Sequence, residues 1–332
     1  MPVIPETILV APDSFKGTLS AVQVAEAVGR GLEEAGRPVD LCPVADGGEG
    51  TLEALLAAFG GELQTASVSD PLGRPVEASY ALAEGARGRT VAIVEMAAAS
   101  GLSLVAEDER DPFAASTFGT GELIVAALAQ GAQTVYLGVG GSATTDGGAG
   151  AIRAIRGEGG IGDARIVVLC DVRTAFEDAA RVFGPQKGAG EHDVARLTKR
   201  LRELAGRLDR DPRGVPMTGA AGGLSGGLWA AFGAELVPGA SFVLDAVEFD
   251  RRMRTARAVV TGEGKLDQQS LAGKLVSEIA TRARQSGVPC YAVVGTRELD
   301  SFDARVLDLQ VVLEAGTPAR LRAAGQRLAE VV

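Results

Sequence analysis

One stretch near the middle of the chain constrains its fold more than any other. It reads Gly138-Val-Gly-Gly-Ser-Ala-Thr-Thr-Asp-Gly-Gly-Ala-Gly150 and lies between a predicted strand and a predicted helix. Glycine lets the backbone approach a ligand closely, and the N–H groups at a helix start attract anions. Dense glycine also suits a plain turn, but a turn seldom needs several hydroxyls beside a carboxylate. The stretch therefore predicts a phosphate-binding loop.

Apolar runs alternate with helical patterns along the chain, which predicts an α/β fold. The opening elements are a strand, a helix, a strand and a helix, at residues 8–11, 20–35, 39–44 and 51–59. Residues 63–83 instead favour antiparallel strands around the turn Asp70-Pro-Leu-Gly73, and a second domain is predicted to start there. From residue 257 onward the β-α-β pattern returns, so the last quarter can rejoin the N-terminal sheet.

Length and charge limit the classes of function. The chain has 332 residues, enough for two domains, and its 43 acidic residues outnumber 33 basic ones. This balance argues against a general nucleic-acid or anionic-membrane surface. The three cysteines lack C-x-x-C spacing, and no secretion signal or membrane-length apolar run is present. We therefore expect a cytoplasmic protein without nucleic-acid or membrane partners. The sequence carries no signature of an oligomer interface.

Acidic and hydroxyl side chains follow the first two predicted strands, where open α/β sheets bind their ligands. Asp13, Ser14 and Lys16 follow the first strand, and Asp46-Gly47-Gly48 follows the second. Carboxylates flanked by glycine suit substrate hydroxyls or magnesium, whereas a solvated loop or a tight turn is the structural alternative. We predict ligand contacts at both places.

Two further loops carry lysine. Phe183-Gly-Pro-Gln-Lys-Gly188 contains Lys187, and Thr261-Gly-Glu-Gly-Lys-Leu-Asp267 contains Glu263, Lys265 and Asp267. Lysine is a point-charge partner for phosphate, and Asp and Glu suit magnesium. Each lysine could equally be an exposed surface charge. From the residues alone, the chain is a phosphate-handling α/β enzyme.

Two other classes of protein share part of this pattern. The segment Gly138-Val-Gly-Gly-Ser-Ala143 satisfies the G-x-G-x-x-A form of a dinucleotide-binding turn, which an NAD(P)-dependent oxidoreductase would explain. The acid expected at the end of the next strand is missing, and this class gives the lysine loops no role. A non-catalytic sensor of nucleotides or organic acids would also use glycine-rich loops.

Seven motifs run in order along the chain. They are Ala11-Pro-Asp-Ser-Phe-Lys-Gly-Thr-Leu19, Val44-Ala-Asp-Gly-Gly-Glu-Gly-Thr51, Gly119-Thr-Gly-Glu-Leu-Ile124, the stretch 138–150, Cys170-Asp-Val172, Phe183-Gly-Pro-Gln-Lys-Gly-Ala189 and the stretch 261–267. Together they resemble the type I glycerate kinases, which phosphorylate D-glycerate with ATP. The resemblance implies a Rossmann-like domain built from residues 1–66 and 254–332, an inserted α/β domain at 67–253, and an active site in the cleft.

The resemblance and the physics of phosphoryl transfer assign roles to these residues, because catalysis of this kind is mostly alignment and neutralisation of charge. Asp171, at the end of a strand, is the predicted general base, with Asp46 as the alternative, and Lys16 is a second predicted catalytic residue. D-Glycerate is expected to contact Asp13, Ser14, Lys16, Asp46, Gly47 and Gly48. ATP phosphates are expected to contact Gly140, Gly141, Ser142, Thr144, Asp146, Gly147, Gly148, Lys187 and Lys265. Glu263 and Asp267 are the predicted anchors of Mg²⁺. The expected product is 2-phosphoglycerate, with 3-phosphoglycerate as the alternative.

Overall fold

The computed structural model describes residues 6–85, 88–268, 270–272 and 274–332. Residues 1–5, 269 and 273 of the predicted first domain and residues 86–87 of the predicted inserted domain lie outside this range. The strands are β1 Ile8–Pro12, β2 Val39–Leu41, β3 Glu62–Ser69, β4 Pro75–Glu84, β5 Thr90–Glu95, β6 Thr134–Gly138, β7 Arg165–Leu169, β8 Glu235–Val237, β9 Ala258–Leu266, β10 Cys290–Arg297 and β11 Leu309–Glu314. The helices are α1 Ala21–Glu34, α2 Thr51–Phe59, α3 Ala97–Ser100, α4 Phe118–Ala129, α5 Ala149–Gly157, α6 Ala179–Phe183, α7 Glu191–Ala205, α8 Leu224–Phe232, α9 Gly239–Ala246, α10 Phe249–Arg254, α11 Leu275–Gln285, α12 Ser301–Val306 and α13 Pro318–Ala329.

The first compact unit combines residues up to Asp46 with residues 240–332. Its five strands are all parallel, in the order β11-β10-β9-β1-β2. Counted within the unit this order is 2-1-3-4-5, the flavodoxin-like form of a doubly wound sheet. Strand residues that point to either face are buried, as Val10 and Leu9 illustrate, which explains why the first strand is an uninterrupted apolar run.

Helix α1 begins where the sequence predicts. Ser20 occupies its N-cap: its side-chain oxygen accepts a hydrogen bond from the backbone N–H of Gln23, and its own backbone N–H donates to Oε1 of Gln23. This capping box satisfies N–H groups that the first helical turn leaves unpaired. The apolar face of α1 packs with α13 over one side of the sheet, where Val24 and Leu321 belong to the same buried cluster.

The second unit, residues 47–239, has a mixed sheet of six strands in the order β3-β4-β5-β6-β7-β8. Strands β3, β4 and β5 pair antiparallel, and β5 to β8 pair parallel. The predicted turn at residues 70–73 joins β3 to β4, and the Asp70 carboxylate accepts hydrogen bonds from the backbone N–H groups of Leu72 and Arg74. Helices α4 and α5 contact each other, and α4 contacts strands β3 to β6.

The two units divide at other residues than the sequence predicted. Residues 47–66 lie in the second unit because α2 packs on β4 and β5, and because the Glu95 carboxylate accepts a hydrogen bond from the backbone N–H of Leu52. Residues 240–253 lie in the first unit, where Arg252 pairs with Asp40. The antiparallel pattern at residues 63–83 was the signal for the predicted start of a second domain. Antiparallel and parallel strands can share one sheet, and in the second unit the pairing changes at β5, within a single sheet.

The predicted fold class is confirmed: both units are α/β, and the first is built from both ends of the chain. Strand β2 is shorter than predicted, yet the chain beyond it still runs along β1, since the N–H groups of Cys42 and Val44 donate to carbonyls of β1. No helix within the described residues combines the length and the apolar character that a membrane span requires.

Candidate active site

A cavity of about 380 Å³ lies at the carboxyl ends of the strands in the first unit. Strand β1 stands between β2 and β9, so the order of the strands reverses at this point. Ligands of open α/β sheets bind in such a crevice. The polar residues that line the cavity include Asp13, Ser14, Lys16, Asp46, Glu263, Asp267 and Lys274.

Asp13 is the most deeply placed acid of this cavity. It follows β1 directly, is 5% exposed, and accepts a hydrogen bond from the backbone N–H of Ser14. Burial holds the pKa of Asp13 well above its usual value, and the nearby Asp46 carboxylate adds to the rise while Lys16 opposes it. A carboxyl group held this way is poised to exchange a proton or to bind a substrate hydroxyl.

Lys16 and Asp46 form an ion pair across the mouth of the cavity. The Lys16 Nζ lies 3.7 Å from the Asp46 Oδ2, with the lysine side chain mostly exposed and Asp46 mostly buried. The Asp46 charge raises the pKa of Lys16, so the ammonium group stays charged at neutral pH. The pair brings together residues that follow β1 and β2, while their predicted ligand contacts stay a prediction.

Two buried oxygens in the cavity wall have no hydrogen-bond partner within the described residues: Oγ of Ser14 and Oε1 of Glu263. Glu263 lies within β9, which extends further than predicted. Burial raises the pKa of Glu263 to about 7, while a hydrogen bond with Ser270 and the charge of Lys274 oppose the rise. Buried polar atoms in native proteins almost always have partners, so both oxygens are suited to contact a ligand.

Glu263 and Asp267, the predicted magnesium anchors, are near enough that the Asp267 charge contributes to the raised pKa of Glu263. Within the described ranges, no group of three or more His, Cys, Asp or Glu side chains is arranged to hold a metal ion. Mg²⁺ in phosphoryl-transfer sites commonly takes one or two carboxylates and completes its shell with water and substrate phosphates. The unpartnered Glu263 oxygen and its acidic neighbour fit that donor set.

Lys265 and Lys274 line the same cavity but differ in surroundings. Lys265, predicted to contact phosphate, has its Nζ 2.9 Å from Oε1 of Glu298 in an exposed ion pair. Lys274 was missed by the sequence prediction and occupies the N-cap of α11. The sequence carries no separate signal for it, because Lys274 falls inside the helical pattern at residues 270–286.

The glycine-rich loop of the second unit connects β6 to α5, as predicted. Asp146 is buried and is the centre of its hydrogen bonds. One carboxylate oxygen accepts from the N–H of Gly148, and the other accepts from the N–H of Gly150 and from both the N–H and the hydroxyl of Thr117. The carboxylate thereby fixes the starts of α4 and α5. A direct contact of Asp146 with an ATP phosphate would bring two negatively charged acceptors together, and this contact stays a prediction.

Lys187 lies beneath this loop and is not on an exposed surface. Its side chain is 4% exposed, and its Nζ donates to the Ser142 hydroxyl at 2.7 Å and to the Thr144 carbonyl at 2.5 Å. Burial lowers the pKa of Lys187 to about 7, and Asp146 opposes this change. The hydroxyl oxygens of Thr144 and Thr145 are buried without a described partner.

Gly47 and Gly48 pack against the strand ends of the second unit. The backbone N–H of Gly140 donates to the carbonyl of Gly47, and a Cβ added to Gly140 would lie 2.4 Å from Cα of Gly48. Asp171, the predicted base, follows β7 by two residues and is half-buried. The Gly47-Gly48 turn and the glycine-rich loop between β6 and α5 are therefore fixed to each other by close backbone packing.

The segment 138–143 does not have the geometry of a dinucleotide-binding turn. In that fold the helix follows the glycines immediately, so that its N-terminus meets the pyrophosphate. Here α5 begins at Ala149, six residues after Ala143, and the intervening chain is buried. The segment therefore matches G-x-G-x-x-A in sequence but not in structure.

The structure thus gathers the predicted residues into two sets, each within one unit. Asp13, Ser14, Lys16, Asp46, Glu263, Lys265 and Asp267 line the cavity of the first unit. Gly47, Gly48, Gly140, Gly141, Ser142, Thr144, Asp146, Gly147, Gly148, Asp171 and Lys187 lie in the second unit. Besides Lys274, the sequence prediction missed Glu95, whose pKa burial raises to about 7 while its hydrogen bond from Leu52 opposes the rise.

Comparison with known proteins gives consistent matches over most of the chain. The sequence model of the glycerate kinase family matches residues 8–159 and 156–324. A glycerate kinase from Halalkalibacterium halodurans and a glycerate 2-kinase from Escherichia coli are each 39% identical to the chain, over 87% of it and 85% of their own length. A crystal structure of a glycerate kinase 2 from Salmonella typhimurium superposes with a TM-score of 0.80 at 33% identity and covers 98% of both chains.

Proposed function

Because the chain belongs to the glycerate kinase family, we propose that it transfers the γ-phosphoryl group of ATP to the 2-hydroxyl of D-glycerate. The observation that carries this proposal is the agreement of the family match over both segments of the chain with a polar cavity at the switch point of the first sheet. Similarity to a glycerate 2-kinase favours 2-phosphoglycerate as the product, with 3-phosphoglycerate as the alternative.

The cavity of the first unit is proposed to hold D-glycerate. A volume of about 380 Å³ is ample for a three-carbon acid. Its wall offers carboxylates to accept hydrogen bonds from substrate hydroxyls, and the unpartnered Ser14 hydroxyl and the Lys16 ammonium to bind oxygen. We propose that Asp13, Ser14, Lys16 and Asp46 contact the substrate there, and that Gly47 and Gly48, which follow Asp46 directly in the chain, contact it as well.

The loop from Gly140 to Gly148 is proposed to bind the ATP phosphates through backbone N–H groups and hydroxyls. The buried, unpartnered hydroxyls of Thr144 and Thr145 support this assignment. Asp146 and Lys187 are proposed to act through the loop, since both are engaged in hydrogen bonds that hold its backbone. Preorganised donors of this kind stabilise developing charge without reorganising during the reaction.

A carboxylate must receive the proton of the attacking hydroxyl. We propose Asp171 for this role and keep Asp46 as the alternative, because Asp46 lines the cavity and is already paired with Lys16. A positioned general base contributes on the order of 10²-fold or more to the rate. Lys16 and Lys265 are proposed to offset the negative charge that accompanies the transferred group.

Glu263 and Asp267 are the residues proposed to hold Mg²⁺. When bound, the ion would neutralise charge on the phosphate oxygens of ATP. The two acids would fix the position of the ion. The unpartnered Glu263 oxygen lies in the cavity wall, and Ser270 links the two residues through hydrogen bonds with the Glu263 side chain and the Asp267 backbone N–H.

The proposed activity is tested by coupling ADP release to an absorbance change in the presence of MgATP. D-Glycerate is expected to give saturable, protein-dependent ADP release, while L-glycerate and lactate serve as acids of similar size. The proposal is wrong if D-glycerate gives no ADP release under conditions where the protein remains folded. ATP binding without turnover would favour the sensor alternative, and absorbance change with NAD(P) would favour the oxidoreductase.

A further inference from the structure

Helix α11 begins with a residue that contradicts the usual rules for a helix start. Its N-cap is Lys274, with extended backbone angles (φ −72°, ψ 174°), and the Lys274 side chain makes no capping hydrogen bond to the first turn. Lysine has no acceptor for the free N–H groups of the first turn. Its positive charge also lies at the positive end of the helix dipole, where an anion is preferred. Local rules are broken in this way mainly at functional sites.

The same helix start faces the cavity already described. Lys274 and Leu275, the N-cap and the first residue of α11, both line it. The cavity wall therefore combines an ammonium group with a helix N-terminus that its N-cap side chain does not cap.

A second observation points to a ligand in the same place. Ser14 also lines the cavity, is 1% exposed, and its hydroxyl oxygen has no hydrogen-bond partner within the described part of the chain. A buried hydroxyl without a partner costs free energy unless a ligand or water completes it. One ligand that carries both an anionic group and hydroxyl groups could contact the helix N-terminus beside Lys274 and complete the hydrogen bonding of the Ser14 hydroxyl.

We propose that the N-terminus of α11 and the Lys274 side chain form a carboxylate-binding site that holds the carboxylate of the three-carbon substrate. The inference rests on the proposed function for the identity of the acid. The acids Asp13, Asp46, Glu263 and Asp267 line the same cavity and would repel the substrate carboxylate, whereas the positive end of α11 adds to the charge of Lys274 and attracts it. The substrate hydroxyls then point toward carboxylates that accept hydrogen bonds from them.

Binding of D-glycerate is measured by calorimetry without nucleotide for the parent protein, Lys274→Met and Lys274→Ser. We expect both substitutions to weaken D-glycerate binding by about tenfold or more, because a charge-assisted hydrogen bond is lost. The KM for ATP is expected to change by less than about twofold. Lys199→Met is the matched control, since it removes an exposed lysine from α7 and should leave D-glycerate binding unchanged.

Lys274→Ser separates this role from a structural one. Serine is a good N-cap, so this variant should have a thermal midpoint at or above that of the parent although it binds D-glycerate more weakly. If Lys274 only supported the fold, the Lys274→Ser substitution would lower both the thermal midpoint and the affinity for D-glycerate. Ser14→Ala is expected to weaken D-glycerate binding several-fold without loss of thermal stability, because the hydroxyl that it removes has no partner within the protein.

Three results would overturn the proposal. They are unchanged D-glycerate affinity in both Lys274 variants, a raised KM for ATP with unchanged D-glycerate affinity, and binding of inorganic phosphate that depends on Lys274 while D-glycerate binding does not. The last two results would assign the site to phosphate. If D-glycerate binds in a Lys274-dependent manner but is never phosphorylated, the carboxylate site stands and the proposed kinase activity fails.

Discussion

The buried Lys187 side chain holds the glycine-rich loop between β6 and α5: its Nζ lies 2.7 Å from Oγ of Ser142 and 2.5 Å from the carbonyl oxygen of Thr144. Two residues near the middle of one loop are thereby fixed by a single buried side chain. Lysine is rarely buried this fully unless its donors are used, and here both contacts are to the loop itself. The loop geometry thus depends on a residue more than 40 positions away in sequence.

Lys187→Met is expected to weaken ATP use more than D-glycerate binding. Methionine keeps most of the volume but leaves the Thr144 carbonyl without its donor, at a cost of about 1–3 kcal/mol. The KM for ATP should rise about tenfold, while the D-glycerate affinity of the first unit should stay near that of the parent. Steady-state kinetics with each substrate varied in turn measures this. An unchanged KM for ATP in the folded variant would remove Lys187 from the loop-positioning role.

Gly47 and Gly50 form a matched pair for testing the turn before α2. Both have positive φ, +89° and +91°, but a Cβ on Gly47 would lie 2.5 Å from the Leu169 carbonyl oxygen, whereas one on Gly50 meets nothing within 4 Å. Gly50→Ala should therefore cost roughly 1–2 kcal/mol of backbone strain, and Gly47→Ala roughly 1–3 kcal/mol more. Urea denaturation compares them, and equal losses would contradict the packing described for Gly47.

Glu95 is expected to make stability depend on pH. Burial raises its pKa from 4.5 to about 7, so between these values the folded protein binds more protons than the unfolded chain. Its contribution is greatest below about pH 4.5 and is lost as the pH rises through 7. The shift corresponds to roughly 3 kcal/mol.

Glu95→Gln removes this dependence while keeping an oxygen for the N–H of Leu52. Relative to the parent, the variant should gain unfolding free energy between pH 5 and pH 8, by up to roughly 3 kcal/mol. Denaturant titrations at the two pH values test the difference. Glu62→Gln, at an exposed position of β3, controls for net charge. A parent-to-variant difference that is the same at both pH values would contradict the raised pKa.

Asp171→Asn is expected to lower kcat on the order of 10²-fold or more with a nearly unchanged thermal midpoint, because asparagine keeps the size but cannot accept the hydroxyl proton. Asp46→Asn is assayed in parallel. If Asp171→Asn keeps near-parental kcat while Asp46→Asn loses it, the base is Asp46.

The α/β class and most element positions could be predicted from the sequence because their signals are local. The capping box at Ser20, the apolar run of β1 and the turn at Asp70 each depend on residues only a few positions apart. The division into units could not be predicted in the same way. It depends on α2 packing on β4 and β5 and on Arg252 pairing with Asp40, which join distant parts of the chain.

The candidate site shows the same distinction. Acids at strand ends could be predicted because parallel strands present their carboxyl ends together, and Asp13 and Asp46 do line one cavity. Whether a polar side chain holds the backbone or lines a cavity depends on its neighbours in three dimensions. The side chains of Asp146 and Lys187 are buried and hold a loop, whereas Lys274 lines the cavity wall.

The most direct test of the proposed function is phosphorus NMR of the products formed from MgATP and D-glycerate. We expect a 2-phosphoglycerate signal that grows as the signal of the ATP γ-phosphate falls. A 3-phosphoglycerate signal would leave the kinase activity in place but contradict the proposed position of transfer. Intact ATP, with no phosphoglycerate after prolonged incubation of the folded protein, would contradict the proposed kinase activity.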